Sequence, residues 1–337
     1  MRSSISNSEV FTSPTRVDWV EHLKSLLVAV TCLAMFDVGV RVLPPRTVGD
    51  HAQVRSFPAR AEILHRAPGR HAILMGNSLT RNGYDLATFD AAVKASGEGP
   101  FTADVIALYG SSLTEWFHIF KRDFVDAGIP PDVVVINMSP GAAEDELPEN
   151  IRVSWLPEES RTSDAPEILQ QDLPLFEQQA EFVHAWTSEG FAYRADLRAD
   201  ILYRLVPEFW YGMQWVNTAL DRDRPAGGGV RHVPVYAKAK RLMALAKANG
   251  VRVVWVAMPL RPDMHHIIDP DLLKVVAEAG MSFMDCRQVP GLDASKFKDH
   301  WHMNEDGGRV FSRYMGRALP KYVDEVLGAK MVPYAAR

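Results

Sequence analysis

Residues 72–78, Ala-Ile-Leu-Met-Gly-Asn-Ser, run a short apolar segment into a glycine, an asparagine and a serine. Four apolar residues followed at once by a turn signal read as a buried strand, Ala72 to Met75, that ends where a parallel sheet opens toward ligands. Outward from it the same alternation repeats. Val105 to Leu108, Val133 to Ile136, Val251 to Ala257 and Met281 to Met284 read as further strands. Val133-Val134-Val135-Ile136 is apolar throughout, as a central strand covered on both faces must be. Helical patterns at about 84–97, 112–127, 235–248, 270–279 and 305–327 follow or separate the strands. The class is α/β, with a mostly parallel five-stranded sheet covered by helices.

The alternation stops between about 142 and 233, too long a stretch for one connection, and this segment is expected to be an inserted helical cap. It opens with acidic residues, Glu144, Asp145, Glu146, Glu149, Glu158 and Glu159, read as a solvated run. It continues with aromatics, Trp186, Phe191, Tyr193, Tyr203, Phe209, Trp210, Tyr211 and Trp215, whose helical spacing suits packing better than a sugar platform. Ala226-Gly227-Gly228-Gly229 returns the chain to the sheet.

Upstream, residues 1–23 read as a flexible tail, 24–45 as a membrane-anchor helix and 46–69 as a polar connector, leaving 70–330 for the main domain with its inserted cap. Leu26 to Phe36 is apolar except for Thr31, and Asp37 and Arg41, four residues apart, can pair or reach the interface before Pro44-Pro45 ends the helix. Arg2, Arg16 and Lys24 before the run suit a cytoplasmic N-terminus and an extracytoplasmic domain, and no small-x-small cleavage site follows. The competing reading is a buried or interfacial helix.

The chain has 337 residues, 47% hydrophobic and 23% charged, which gives ample core and excludes global disorder. With 37 Lys and Arg against 42 Asp and Glu, the net charge of -5 leaves no basic excess for a phosphate backbone, so no nucleic-acid partner is expected. Two cysteines, Cys32 and Cys286, make no disulfide framework, and Cys286 reads as structural. No P-loop or dinucleotide-binding glycine motif occurs.

Ser78, exposed at a strand end, becomes a nucleophile if a base lies near it; read alone it is a turn or cap residue. The base is found in Asp299-His300-Trp301-His302-Met303-Asn304. An Asp three residues before a His can orient the ring by one nitrogen while the other faces the nucleophile, so Asp299 and His302 are the candidate partners of Ser78. His300 and His302 supply only two metal ligands with no Cys or His to complete a set, and no metal or other cofactor is expected. His265 and His266 read as a loop pair. Arg81 and Asn82 either contact substrate or sit in a solvated helical turn.

Together these segments resemble the SGNH, or GDSL-type, hydrolase superfamily. Gly76-Asn77-Ser78-Leu79 is similar to its first motif with Asn in place of the common Asp, and Asp299 with His302 to its last, extended by Asn304 and Gly307. The resemblance spans roughly residues 70–325 around the insertion and implies a three-layer, flavodoxin-like α/β/α fold. It also implies an oxyanion hole from the N–H groups of Ser78 and Gly110, Gly110 matching the glycine of the second motif. The third motif departs: where members carry Gly-x-Asn-Asp, this chain has Asn137-Met138-Ser139-Pro140-Gly141. The usual Asn falls near Pro140, which has no side-chain donor; Asn137, Ser139 or a group from the insertion are the alternatives, and loss of one such donor costs about 100 to 1,000-fold in turnover. The Gly-x-Ser-x-Gly elbow of α/β-hydrolases is not met, since Thr80 holds its last position.

The resemblance implies acyl transfer through acyl-Ser78, with an acylated carbohydrate or other ester as substrate and water or a sugar hydroxyl as acceptor. Anchored members resemble the extracytoplasmic components of polysaccharide O-acetylation systems, which implies an acetyl group, an exported glycan and a multispanning membrane acyltransferase as partner. The alternative is a catalytically weak, membrane-tethered component that binds glycan, to which the departed third motif points.

Overall fold

The computed structural model describes residues 19–42, 49–145, 150–206, 208, 212 and 235–328. Two helices come first, α1 (Trp19–Val42) and α2 (Gly49–Arg66). The sheet region follows as β1 (Arg70–Gly76), α3 (Ser78–Gly83), α4 (Leu86–Ser96), β2 (Phe101–Ala107), α5 (Leu113–Phe120) and β3 (Val133–Met138). All strands are parallel, in the order β2-β1-β3-β4-β5 once β4 (Arg252–Ala257) and β5 (Ser282–Asp285) are added. All five expected strands are present, within four residues at either end.

Alternation along each strand builds two cores. Ile73 and Met75 of β1, Val134 and Ile136 of β3 and Val253 and Trp255 of β4 face one side; Ala72, Leu74, Val133, Val135, Val254 and Val256 face the other. Each set is fully buried, which is why these strands read as unbroken apolar runs. The first side is covered by α2, α5 and two later helices, Ala237–Ala248 and Pro270–Glu278. The second is covered by α4 and the last helix, Glu305–Gly328, which gives the three layers.

The insertion carries short turns α6 (Leu156–Glu159) and α7 (Ala165–Glu167), then α8 (Phe176–Thr187), α9 (Glu189–Ala192) and α10 (Arg194–Leu205). The remaining helices are then α11 (Ala237–Ala248), α12 (Pro270–Glu278) and α13 (Glu305–Gly328). The cap has its own small core of Ile151, Val153, Leu156, Ala165, Ile168, Leu173 and Phe182. Hydrogen bonds and ion pairs, buried at Asp172 and partly exposed at Glu167, join it to the sheet layer: Asp172 accepts from His118 at 2.8 Å and Arg241 at 2.6 Å, and Glu167 from Lys121 and Arg241 at 3.0 and 2.8 Å.

Two expectations are corrected. Residues 46–69 are not merely a connector: α2 lays Val54, Phe57, Ala61 and Leu64 into the first core, all essentially inaccessible. The acidic run is not wholly solvated, because Glu159 is fully buried, Glu158 pairs with His51 and Arg55, and Asp145 accepts from Ala237 and Lys238 N–H at the start of α11. Among the cap aromatics, Tyr193 is buried and bonded to Arg55 and Glu158, whereas Phe209, Trp210, Tyr211, Trp215 and the glycine run lie outside the described residues.

α1 contains one stretch, Leu23–Val40, long and apolar enough to cross a membrane, with mean hydropathy 1.9 and 6% of it buried. Its Asp37 carboxylate accepts from Ser188 Oγ at 2.8 Å and from Gly190 N–H at 2.9 Å, at the start of α9. A side chain at Gly190 would meet the Phe36 ring at 2.8 Å, so glycine is what lets the two helices touch. The Arg41 side chain and the N-terminal residues 1–18 lie outside the described residues.

Candidate active site

In a sheet of this order the crevice lies where strand order reverses, beside β1 and its two neighbours. The register places Gly76 level with Ala107 of β2 and Asn137 of β3, so the three loops that leave these strands emerge side by side. Gly76 is required there. A side chain on it would meet Thr80 Oγ1 at 1.9 Å and Asn137 O at 2.9 Å. Asn77 caps α3 by accepting from Leu79 N–H at 3.1 Å, which makes Ser78 the first helical residue, its N–H without an intrahelical acceptor.

Ser78 Oγ lies 2.8 Å from His302 Nε2, and His302 Nδ1 lies 2.8 Å from Asp299 Oδ2. Residues 224 positions apart thus meet in one hydrogen-bonded chain. Asp299 Oδ1 also accepts the N–H groups of Trp301 and His302, at 2.7 and 2.6 Å. Partial burial pushes the Asp299 carboxyl up, but those N–H groups and the imidazole outweigh it and hold the group below the ordinary carboxylate range. It therefore stays ionised opposite the ring nitrogen.

The rest of the last motif holds this turn in place. Asn304 Nδ2 donates to Ser295 O at 2.7 Å, and Asn304 Oδ1 accepts from Gly307 N–H at 3.0 Å. A side chain on Gly307 would meet Lys296 O at 2.1 Å, and one on Gly308 would meet Asn82 O at 2.8 Å. The Asn82 side chain is engaged within the protein. Its Nδ2 donates to Ser78 O at 2.6 Å and its Oδ1 accepts from Lys298 Nζ at 2.8 Å, tying the serine helix to the histidine turn. Arg81 pairs with Asp50 of α2.

Gly110 takes a left-handed φ of 67° and is exposed, and its N–H has no acceptor among the described residues. The next residue, Ser111, contacts Gly76 O through its hydroxyl at 3.3 Å. Asn137 does not supply a second donor: it is fully buried, its Nδ2 donates to Met75 O at 3.2 Å and its Oδ1 accepts from Tyr84 Oη at 2.9 Å. Ser139 lines a crevice of about 310 Å³ with Asn77, Ser111, Ser112, Glu144, Asp145 and Asn150, which reaches the residue before Ser78 but is lined by none of Ser78, Asp299 or His302. A larger cavity of about 1630 Å³ lies outside β4 and β5, around His265 and His266, and none of Ser78, Asp299 or His302 lines it. His266 bonds through Nδ1 to Met258 O, and burial lowers its pKa. Cys286 is fully buried and burial pushes its thiol up to about 12, as suits a structural residue.

The order β2-β1-β3-β4-β5, all parallel and covered on both faces, is that of a three-layer α/β/α fold. No family model matches the sequence, and no curated protein does. Among solved structures, a putative acylhydrolase from Bacteroides fragilis is 14% identical, over 81% of this chain and 98% of that one, with a TM-score of 0.36. A GDSL-like lipase from Bacteroides thetaiotaomicron is 13% identical over 82% and 98%, also at 0.36. An acetyl xylan esterase from Geobacillus stearothermophilus is 12% identical over 75% and 96%, again at 0.36. What the site of this chain can do follows from its own geometry.

Proposed function

We propose that the protein is a serine-dependent acyl-ester hydrolase or O-acyltransferase acting through acyl-Ser78. The observation that carries this is the chain Ser78 Oγ, His302 and Asp299, closed at 2.8 Å on both sides of the imidazole. In the first half-reaction His302 Nε2 takes the Ser78 proton as Oγ attacks the ester carbonyl. The N–H groups of Ser78 and Gly110 receive the oxyanion, and His302 then protonates the departing alcohol. Water or a sugar hydroxyl reverses these steps and releases the acyl group.

The crevice beside Asn77, next in the chain to Ser78, supports a hydroxylated substrate with a small acyl group such as acetyl. Its lining of amide, hydroxyl and carboxylate groups can hydrogen-bond a glycan, while offering a long acyl chain little apolar surface. α1 is in keeping with a membrane-anchored, extracytoplasmic enzyme working on an exported polysaccharide beside a membrane acyltransferase. Labelling of the full chain with a fluorophosphonate probe, read by intact mass, tests the nucleophile. One adduct on wild type, absent in Ser78→Ala and His302→Ala, is the expected result. A folded wild type that stays unlabelled beside a labelled control esterase overturns it and favours a glycan-binding component.

A further inference from the structure

The peptide between Tyr109 and Gly110 is gripped by residues that belong to none of the motifs. Its carbonyl, on Tyr109, accepts from Arg152 Nη1 at 2.6 Å. The Tyr109 N–H donates to Asp50 Oδ2 at 3.1 Å, and Arg81, which pairs with the other oxygen of Asp50, lies over the Tyr109 ring at 4.5 Å. Arg152 is itself fixed. Its guanidinium sits 3.8 Å from the Trp155 ring and its Nε 3.3 Å from Glu115 Oε1, and Trp155 stacks on His51 of α2 at 3.6 Å.

A trans peptide carries its C=O and N–H on opposite sides of one plane. Holding the Tyr109 carbonyl on Arg152 therefore sets the direction of the Gly110 N–H, the one with no acceptor. A cation on the carbonyl oxygen also draws charge out of the peptide and strengthens the N–H as a donor. Without these grips the loop has little to hold it, since Tyr109 is half exposed and Gly110 has left-handed freedom.

We infer that Arg152 and Asp50 are positioning residues for the oxyanion hole. Arg152 aims and polarises the Gly110 N–H while Asp50 holds the preceding peptide, and through Arg152 the cap compensates for the donor that the third motif lacks. This rests on the acyl-transfer reading above.

The test uses the full chain in detergent, an aryl acetate, and the variants Arg152→Met, Arg152→Lys, Asp50→Asn and Ser78→Ala. Arg152→Met is expected to lower kcat by about 10 to 100-fold with KM within about twofold, the pattern of a contact used in the transition state. Arg152→Lys, which keeps a cationic donor, recovers part of the loss; Asp50→Asn costs less, about three to tenfold. The decisive readout is Ki for an aryl trifluoromethyl ketone. Ser78 Oγ adds to its carbonyl carbon, the carbonyl electron pair becomes an oxyanion, and the serine proton passes to His302. In each variant Ki rises by the factor by which kcat/KM falls. A fall in kcat with unchanged Ki, or Arg152→Met at wild-type kcat and Ki, overturns the inference alone. A wild type without Ser78-dependent turnover removes the acyl-transfer reading and this inference with it. Asp50→Asn, nearly isosteric, and Arg152→Lys, which keeps the charge, carry the same Ki comparison if Arg152→Met does not fold.

Discussion

Both oxygens of Asp299 are committed: Oδ1 takes two backbone N–H groups and Oδ2 takes His302 Nδ1. Asp299→Asn should leave this turn intact, because the amide oxygen can keep the two N–H bonds. Its NH₂ then faces Nδ1, which must accept, so the ring proton moves to Nε2 and His302 cannot take the proton of Ser78. Turnover of an aryl acetate should fall by about 10⁴-fold with the melting temperature nearly unchanged; retention within tenfold would mean that the pair does not act as drawn. The three residues were legible in the sequence because strand-end and turn signals are local and each chemistry needs a particular side chain. Asn137 was not. The sequence places it at the right strand end, but only the packed sheet shows its amide used up on Met75 and Tyr84.

At the scale of elements, α2 shows where a legible signal was outweighed. Val54, Phe57, Ala61 and Leu64 follow a helical period, yet the arginines and histidines around them and Pro58 within the helix gave the segment a polar look. The contact of α2 with the cap was beyond a sequence reading, because it depends on long-range pairs such as His51 with Glu158. The cap also buries Glu159 on α6 with neither oxygen hydrogen-bonded. Burial first, and the nearby Glu115 second, push this carboxyl well above its ordinary 4.5, against Arg152 and Arg122, which lower it. A folded pKa above the unfolded value means that the folded chain holds a proton the unfolded chain has released. Stability from this group is therefore whole below about 4.5 and declines as pH rises through the window up to the folded pKa, by at most about 1.4 kcal/mol per unit. Glu159→Gln carries no such proton. Urea unfolding of both proteins should give similar stabilities at pH 4.5, and an increasing advantage for Glu159→Gln toward pH 8; parallel pH curves would show that Glu159 is not protonated in the fold.

Across the molecule as a whole, polar contacts of Asp37 with Ser188 and Gly190 join the apolar helix to the cap. Those contacts lie at the end of the apolar stretch nearest the domain, where a carboxylate can leave the lipid and meet the cap. The two cysteines report on this arrangement. Cys286 is buried, with its thiol pushed up to about 12, and should react slowly in the folded protein wherever the chain resides. Cys32 lies near the middle of Leu23–Val40 on an exposed helix face, so its surroundings are whatever surrounds α1. If α1 spans a bilayer, a charged maleimide that cannot enter lipid should label neither cysteine in intact membranes and both after denaturation in SDS. Prompt labelling of Cys32 in intact membranes would put α1 in water, and the anchor would then have to be replaced by a helix lying against the surface of the cap.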